Sequence, residues 1–299
     1  MKIFIFGARG FFGQKFADFF KKKNWEICDE RVDICDAPAV RKILRKTQPD
    51  VALNCAGKTG VPNVDWCEKN PRETFATNSI GPANIAVACD ELKIFFANLS
   101  SGCIFAGDNG GAGFSENDAP NFFGSVYSRS KILAEKFLAE FSALQLRIRI
   151  PIDSCPHPKN VIDKLLKYDK ILIAQNSFTV VDDFLPAAFE LISQRARGIF
   201  NLTNPGAIDH KFLLENFRKI CGLQKNFEFI SAEKLEKMVV APRSNCVLRS
   251  EKLQKFGIFL PEISARIPEI FQKYKIFFSA KNTFTSRKNP NKNFVREKF

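Results

Sequence analysis

Tyr127-Ser128-Arg129-Ser130-Lys131 sets a phenol and an ammonium four residues apart, which on a helix is one turn and one face. A phenol with a pKa of about 10 is a poor acid–base group at neutral pH. A neighbouring cation that stabilises the phenolate changes that, and Lys131 has the spacing to do so. Tyr127 is one of only three tyrosines in the chain. Upstream, Leu99-Ser100-Ser101 closes an apolar run with hydroxyls that could hold a carbonyl oxygen. Cys103 follows two residues later and points to the same side if strand geometry persists. A cysteine among cations can work as a thiolate. The Tyr-x-x-x-Lys spacing alone is an ordinary helix pair; its weight comes from the elements that carry it.

Those elements begin with Lys2 to Phe6, a short apolar run that meets Gly7-Ala8-Arg9-Gly10-Phe11-Phe12-Gly13, after which Phe11 to Lys23 is amphipathic. Strand, glycine turn and helix are the context a dinucleotide fingerprint requires, although the spacing is GxxGxxG. Small residues let the backbone approach a pyrophosphate, and a helix N-terminus presents N–H groups to it. Gly7, Arg9, Gly10, Phe11, Phe12 and Gly13 are therefore expected at a cofactor. Asp29, the last residue of a second strand at Glu26 to Asp29, and Asp33 beyond it suit the ribose hydroxyl of NAD, whereas Arg9 and Arg31 suit a 2′-phosphate. The expectation is NADPH, with NADH as the alternative.

The alternation continues with helices at Ala37 to Lys46, Ala83 to Glu91 and Ser125 to Phe141, and strands at Asp50 to Asn54, Ile94 to Leu99 and Leu146 to Ile150. This predicts an α/β fold, a doubly wound parallel sheet of Rossmann type over residues 1–150. After Pro151 prolines break the rhythm, and a smaller mixed α/β substrate domain is expected over 151–279. Its helices are read at Val161 to Lys167, Asp183 to Arg195, His210 to Ile220 and Glu262 to Tyr274. Residues 280–299 read as a basic, disordered tail.

Lys plus Arg number 45 against 32 Asp plus Glu, a net charge of +13, of which +5 falls in that tail. The remainder is spread without a dense run, so small anionic ligands are favoured over a nucleic acid. Nine cysteines form no CxxC pair, which argues against a disulfide framework and a zinc site; no metal is expected. No run has the length of a membrane span, and a cytoplasmic location is expected. Composition offers no reason for 32 phenylalanines.

Taken together, the glycine turn, Asn54-Cys55-Ala56-Gly57, Ser101 and the Tyr127/Lys131 pair resemble the extended short-chain dehydrogenase/reductase family over residues 1–275. The resemblance implies that Ser101 bonds a substrate carbonyl, that Tyr127 delivers a proton, and that Lys131 contacts the nicotinamide ribose. It also implies cofactor contacts at Asn54, Ala56, Gly57, Tyr127, Lys131 and Pro151. The strings Asn54 to Gly60, Pro62 to Glu68, Gly102 to Phe105, Pro120 to Phe122, Ile148 to Ile152, Phe200 to Gly206 and Ala241 to Asn245 look more closely like the nucleotide-rhamnose synthase/epimerase-reductase family. That family turns dTDP- or UDP-4-keto-6-deoxy-glucose into the L-rhamnose nucleotide.

Epimerising carbons beside a ketone needs a base, an acid and an enolate holder around one carbonyl. By the resemblance Cys103 and Lys164 supply the first two, and Ser101 and Tyr127 the last. Thr59, Asn63, Trp66, Asn121, Asn160, Arg243 and Asn245 are expected around the nucleotide sugar, with Arg243 as a bidentate fork for the diphosphate. For Asn160 a helix cap, and for Trp66 packing, are equal alternatives. The expected function is a 3,5-epimerase/4-reductase, with a homodimeric assembly and a separate 4,6-dehydratase upstream. A 4-reductase alone, a GDP-L-fucose-synthase-like enzyme and a non-catalytic dinucleotide-binding regulatory subunit are the alternatives.

Overall fold

Four of the five residues of Lys2–Phe6 (β1) are buried, as a central parallel strand covered on both faces requires. The computed structural model describes residues 1–61 and 63–285. After β1 come the helix Phe11–Lys22 (α1), the strand Glu26–Cys28 (β2), Ala37–Thr47 (α2), Val51–Asn54 (β3), Asp65–Lys69 (α3) and Pro71–Phe75 (α4). A π turn, Ala76–Ile80, leads into Gly81–Leu92 (α5), followed by Phe95–Ser101 (β4), Val126–Ala139 (α6) and Leu144–Ile148 (β5). The later elements are Pro151–Ile152 (β6), Val161–Leu165 (α7), Lys170–Leu172 (β7), Asn176–Val180 (β8), Val181–Ser193 (α8), Gly198–Asn201 (β9), Asn204–Ile208 (β10), His210–Cys221 (α9), Glu228–Ile230 (β11), Ala232–Glu236 (α10) and Ile263–Thr285 (α11).

Local chemistry fixes the helix starts. The side chains of Asp36, Ser125, Asn160 and Asp209 each accept a backbone N–H from the first turn of α2, α6, α7 and α9, satisfying donors that the helix leaves unpaired. The principal sheet is parallel, in the order β2-β1-β3-β4-β5-β9. The chain moves outward from β1 in one direction to β2 and in the other to β3, so its crevice lies at the carboxyl ends beside β1. α1 and α8 cover one face and α2 and α5 the other.

Two expectations are corrected here. The boundary at residue 150 is crossed, because α8 and β9 return to the first sheet: β9 pairs with β5, and Phe184 packs on Phe12 and Phe16 of α1. A parallel sheet needs a cover on each face, and 1–150 leaves the α1 face incomplete. Phe16, Phe20, Trp25, Phe184 and Phe189 fill that layer in edge-to-face and tilted contacts, which gives part of the phenylalanine excess a place. The basic segment expected as a tail begins inside α11, which runs to Thr285; residues 286–299 lie outside the described residues.

The second core gathers α7, α9 and α11 over β8. β8 pairs antiparallel with β10 and parallel with β6. Isolated bridges from Gly107 to Cys246 and from Phe114 to Leu248 bind the 102–125 loop to this half. Among the described residues no helix is long and apolar enough to cross a membrane.

Candidate active site

At the crevice beside β1 a cleft of about 1010 Å³ opens, lined by residues of the β1–α1 turn, the loops after β2, β3 and β4, α6, the end of β5 and α7. Gly7 has φ +74°, and a Cβ there would lie 2.6 Å from the Ala56 backbone nitrogen; one on Gly13 would lie 2.2 Å from the Gly7 carbonyl oxygen. The turn is thus as close as backbone permits. Gly10 caps α1 with no side-chain hydrogen bond and no acidic residue follows in the first turn, so oriented N–H groups face a glycine-lined cradle. That arrangement fits the pyrophosphate of a dinucleotide. Arg9, Arg31 and Asp33 line the same cleft, with Phe11, Phe12, Ala56, Gly57 and Pro151.

Asn54 lies beneath this surface. It donates to Asn98 Oδ1 at 2.9 Å and accepts the Ala56 N–H at 3.0 Å, so it shapes the loop that carries Ala56 and Gly57 and does not line the cleft itself. Gly13 likewise acts through packing.

Ser101, Cys103, Tyr127, Lys131 and Lys164 all line the same cleft, and a Cβ on Gly57 would lie 3.6 Å from Lys131 Nζ. Strand geometry does not persist past Ser101. Instead the Cys103 N–H donates back to Ser101 Oγ at 3.1 Å, and the turn is pinned where the Ser128 hydroxyl donates to the Cys103 carbonyl at 2.5 Å. α6 is held in place by Val126 N–H on Glu68 Oε1 at 2.7 Å and by Asn78, which donates to Ser130 Oγ at 3.1 Å. Asn78 sits in the π turn, a rare conformation enriched at functional sites, and also grips Lys58 through both its N–H and its C=O.

Burial shapes the chemistry. It holds the Tyr127 phenol well above its ordinary range, reinforced by Cys103 and opposed by the Ser101 hydroxyl and by Arg149. The same burial brings Lys131 down to about 8. Lys164 is lowered too, by burial and then by Lys159. Lys131 Nζ faces the Leu99 carbonyl at 3.5 Å, and Arg149 is a second cation of the site whose charge favours the phenolate of Tyr127.

The residues expected around the nucleotide sugar divide. Thr59 and Asn63 line the cleft. Trp66 does not; it packs against the cluster of Cys67, Val126 and Tyr127. Asn121 closes on the Ala106 backbone through both its amide groups. Asn160 is fully buried, caps α7 and donates to the carbonyls of Asp153 and Cys155. Arg243 is a bidentate fork, but for Asp65, at 2.7 and 3.1 Å. Asn245 accepts from Asn176 at 3.2 Å. Trp66, Asn121, Asn160, Arg243 and Asn245 are thus committed to packing, a cap and clasps, and in this structure stand outside the cleft lining. Sequence reasoning missed Arg149, Asn78 and Lys159. The available signal for Arg149 was a charge inside the apolar run Leu146-Arg147-Ile148-Arg149-Ile150.

The family described as RmlD substrate binding domain matches residues 1–276. A bifunctional dTDP-4-dehydrorhamnose 3,5-epimerase/dTDP-4-dehydrorhamnose reductase of Arabidopsis thaliana is 38% identical over 73% of this chain and 75% of its own length. A trifunctional UDP-glucose 4,6-dehydratase/UDP-4-keto-6-deoxy-D-glucose 3,5-epimerase/UDP-4-keto-L-rhamnose-reductase of the same plant is 36% identical over 85% of this chain, which spans only 40% of that relative. The crystal structure of a UDP-rhamnose synthase from Acanthamoeba polyphaga mimivirus superposes with a TM-score of 0.87 at 32% identity, covering 91% of this chain and 99% of that one.

Proposed function

This chain belongs to the RmlD substrate binding domain family, that of dTDP-4-dehydrorhamnose reductase, and on that premise we propose that it reduces the 4-keto group of dTDP- or UDP-4-keto-6-deoxy-glucose and epimerises C3 and C5 at the same carbonyl. The observation that carries this reading is the meeting of Ser101, Cys103, Tyr127, Lys131 and Lys164 on one cleft beside an uncapped, glycine-lined helix N-terminus. NADPH, when bound, supplies the hydride for C4. Gly7, Gly10 and the first turn of α1 would hold its pyrophosphate, and Arg9 and Arg31 suit a 2′-phosphate.

The protein's own groups do the rest. Ser101 and Tyr127 hold the C4 oxygen. A proton leaves C3 or C5 to one of Cys103 and Lys164, and the enolate oxygen rests on the Ser101 and Tyr127 hydroxyls. The other residue returns a proton to the opposite face, so the step is redox-neutral and its mark is solvent hydrogen in the product. Tyr127 then gives its proton to the C4 oxygen as reduction occurs, and Lys131 supports it from the next turn. A 4,6-dehydratase is the class of reaction that must provide the ketone.

Incubation of the protein with each sugar nucleotide in deuterated water, following deuterium at C3 and C5 alongside NADPH oxidation, tests the reading. Both signals are expected. NADPH oxidation of an already epimerised substrate without any exchange would reduce the function to that of a 4-reductase, and neither signal with either nucleotide would overturn it.

A further inference from the structure

Arg149 leaves the end of β5 and turns inward beneath the catalytic loop. It is 4% exposed, a depth at which an arginine is rarely found without partners. Its Nη1 donates to Cys103 Sγ at 2.7 Å. Its Nη2 donates to Asn176 Oδ1 at 2.6 Å and to the Ser244 carbonyl, while Nε is buried with no hydrogen-bond partner among the described residues. The guanidinium therefore joins three pieces of chain that meet nowhere in sequence: the turn after β4, the start of β8 and the 243–246 loop.

The backbone is distorted to aim it. Ile150, the next residue, has φ +30°, an unfavourable region for a β-branched side chain that survives only where surroundings impose it. Here they do: Arg149 N–H donates to Thr179 Oγ1 at 3.0 Å, and Thr179 N–H donates to the Arg149 carbonyl at 2.7 Å. Asn176 is itself steered by Asn245 and by the Cys246 N–H. The groups that bear electrostatically on Cys103 are Tyr127 and Lys131 of α6, Arg149, Lys164 of α7 and Cys246. Of these, Arg149 is the cation bonded to the sulfur.

We propose that Arg149 is a positioning residue for Cys103, fixing the sulfur at the cleft and pairing with its negative charge whenever the thiol has given up its proton. The inference deepens the proposed epimerisation and rests on it for its catalytic meaning. Whether Cys103 removes the substrate proton or supplies the returning one, it is a thiolate on one side of the transfer. The proton goes to or comes from the substrate carbon, the electron pair stays on sulfur, and the fixed guanidinium balances it. Burial opposes the charge on Arg149, but its neighbours, led by Cys103, counter that effect and leave the guanidinium above its ordinary range.

The test compares wild type, R149M, R149K and N176A. Site-resolved alkylation by iodoacetamide at neutral pH reads Cys103 against the exposed Cys155 in the same molecule, and deuterium exchange and NADPH oxidation are read on the same samples. A hydrogen bond to a charged group is worth enough that R149M should slow Cys103 alkylation roughly tenfold or more relative to Cys155. Exchange should fall by at least that factor and by more than reduction, NADPH binding should be retained, and R149K should recover part of both losses. An unchanged alkylation ratio in R149M, or exchange, reduction and NADPH binding falling in equal proportion, overturns the assignment. If R149M does not fold, N176A decides: it leaves the charge and removes one anchor, so a smaller slowing of Cys103 is expected, and none would refute the proposal. Slowed alkylation in a protein whose wild type performs no exchange would strike the proposed reaction while leaving the pairing intact.

Discussion

Replacing Lys131 by methionine should stabilise the cofactor-free protein while removing the proposed 4-reduction. Lys131 is 7% exposed, and its ammonium, brought down from 10.5 to about 8 by burial, has among the described residues only the Leu99 carbonyl, at 3.5 Å, as a hydrogen-bond acceptor. Each pKa unit corresponds to about 1.4 kcal/mol, so keeping that charge buried costs the native state at most on the order of 3 kcal/mol at neutral pH. Because the folded pKa lies below the unfolded one, the unfolded chain binds more protons between about pH 8 and 10.5, and wild-type stability rises with pH across that window. K131M, which has nothing to titrate there, should exceed wild type by about 1 to 3 kcal/mol at neutral pH, the methionine filling nearly the same space. The excess should shrink as the pH approaches 10.5 and should narrow when NADPH is present, since wild type gains contacts the variant lacks. Urea denaturation at several pH values, with and without NADPH, measures this. A K131M protein less stable than wild type, or a difference that does not change with pH, would refute the burial argument.

C103A should abolish deuterium exchange at C3 and C5 while leaving direct 4-reduction, and Y127F should lower NADPH oxidation by roughly 10²-fold or more; unimpaired exchange in C103A would remove Cys103 from the mechanism. Away from the cleft, Arg147 is 1% exposed and forks onto Glu135 at 2.5 and 2.7 Å. E135Q leaves that buried guanidinium without its counter-charge, so a loss of about 3 to 5 kcal/mol is expected in denaturant unfolding. For Asp65, burial raises the pKa but the Arg243 fork and the Ala241 N–H outweigh it, leaving the carboxyl below its ordinary 3.8. That clasp stabilises the protein above the ordinary value and is lost as pH falls through the lowered one. D65N should therefore be less stable than wild type near neutrality and flatten the acid limb of the stability profile; with a quarter of each side chain exposed, the effect is about 1 kcal/mol or less.

The motif residues were readable because each acts through local rules. A glycine turn between strand and helix, and a Tyr/Lys pair one helical turn apart, carry their geometry in their spacing. Asn160 was readable as a possible cap of α7, which it is, whereas Arg243 was readable as a hydrogen-bonding group but not as to its partner: Asp65 stands 178 positions away, and only folding brings it there. The five-residue α7, which carries Lys164, is likewise placed by the buried Asn160 and its loop carbonyls, through contacts that no periodicity displays.

The sequence by itself determined the alternation of strands and helices, the glycine turn between β1 and α1 and the Tyr127/Lys131 pair, because hydrophobic period, glycine freedom and helical pitch operate within a few residues. The tertiary structure alone decided that α8 and β9 complete the first sheet, and that Arg147 and Arg149 turn into the interior. A strand reading assigns both arginines to one face of β5 and its continuation; the sheet is covered on both sides, and the chain turns out of it after Ile148. It was the tertiary structure, too, that set a guanidinium against the Cys103 sulfur, since the partners of a buried charge are chosen by the packing of distant segments and not by its neighbours in the chain.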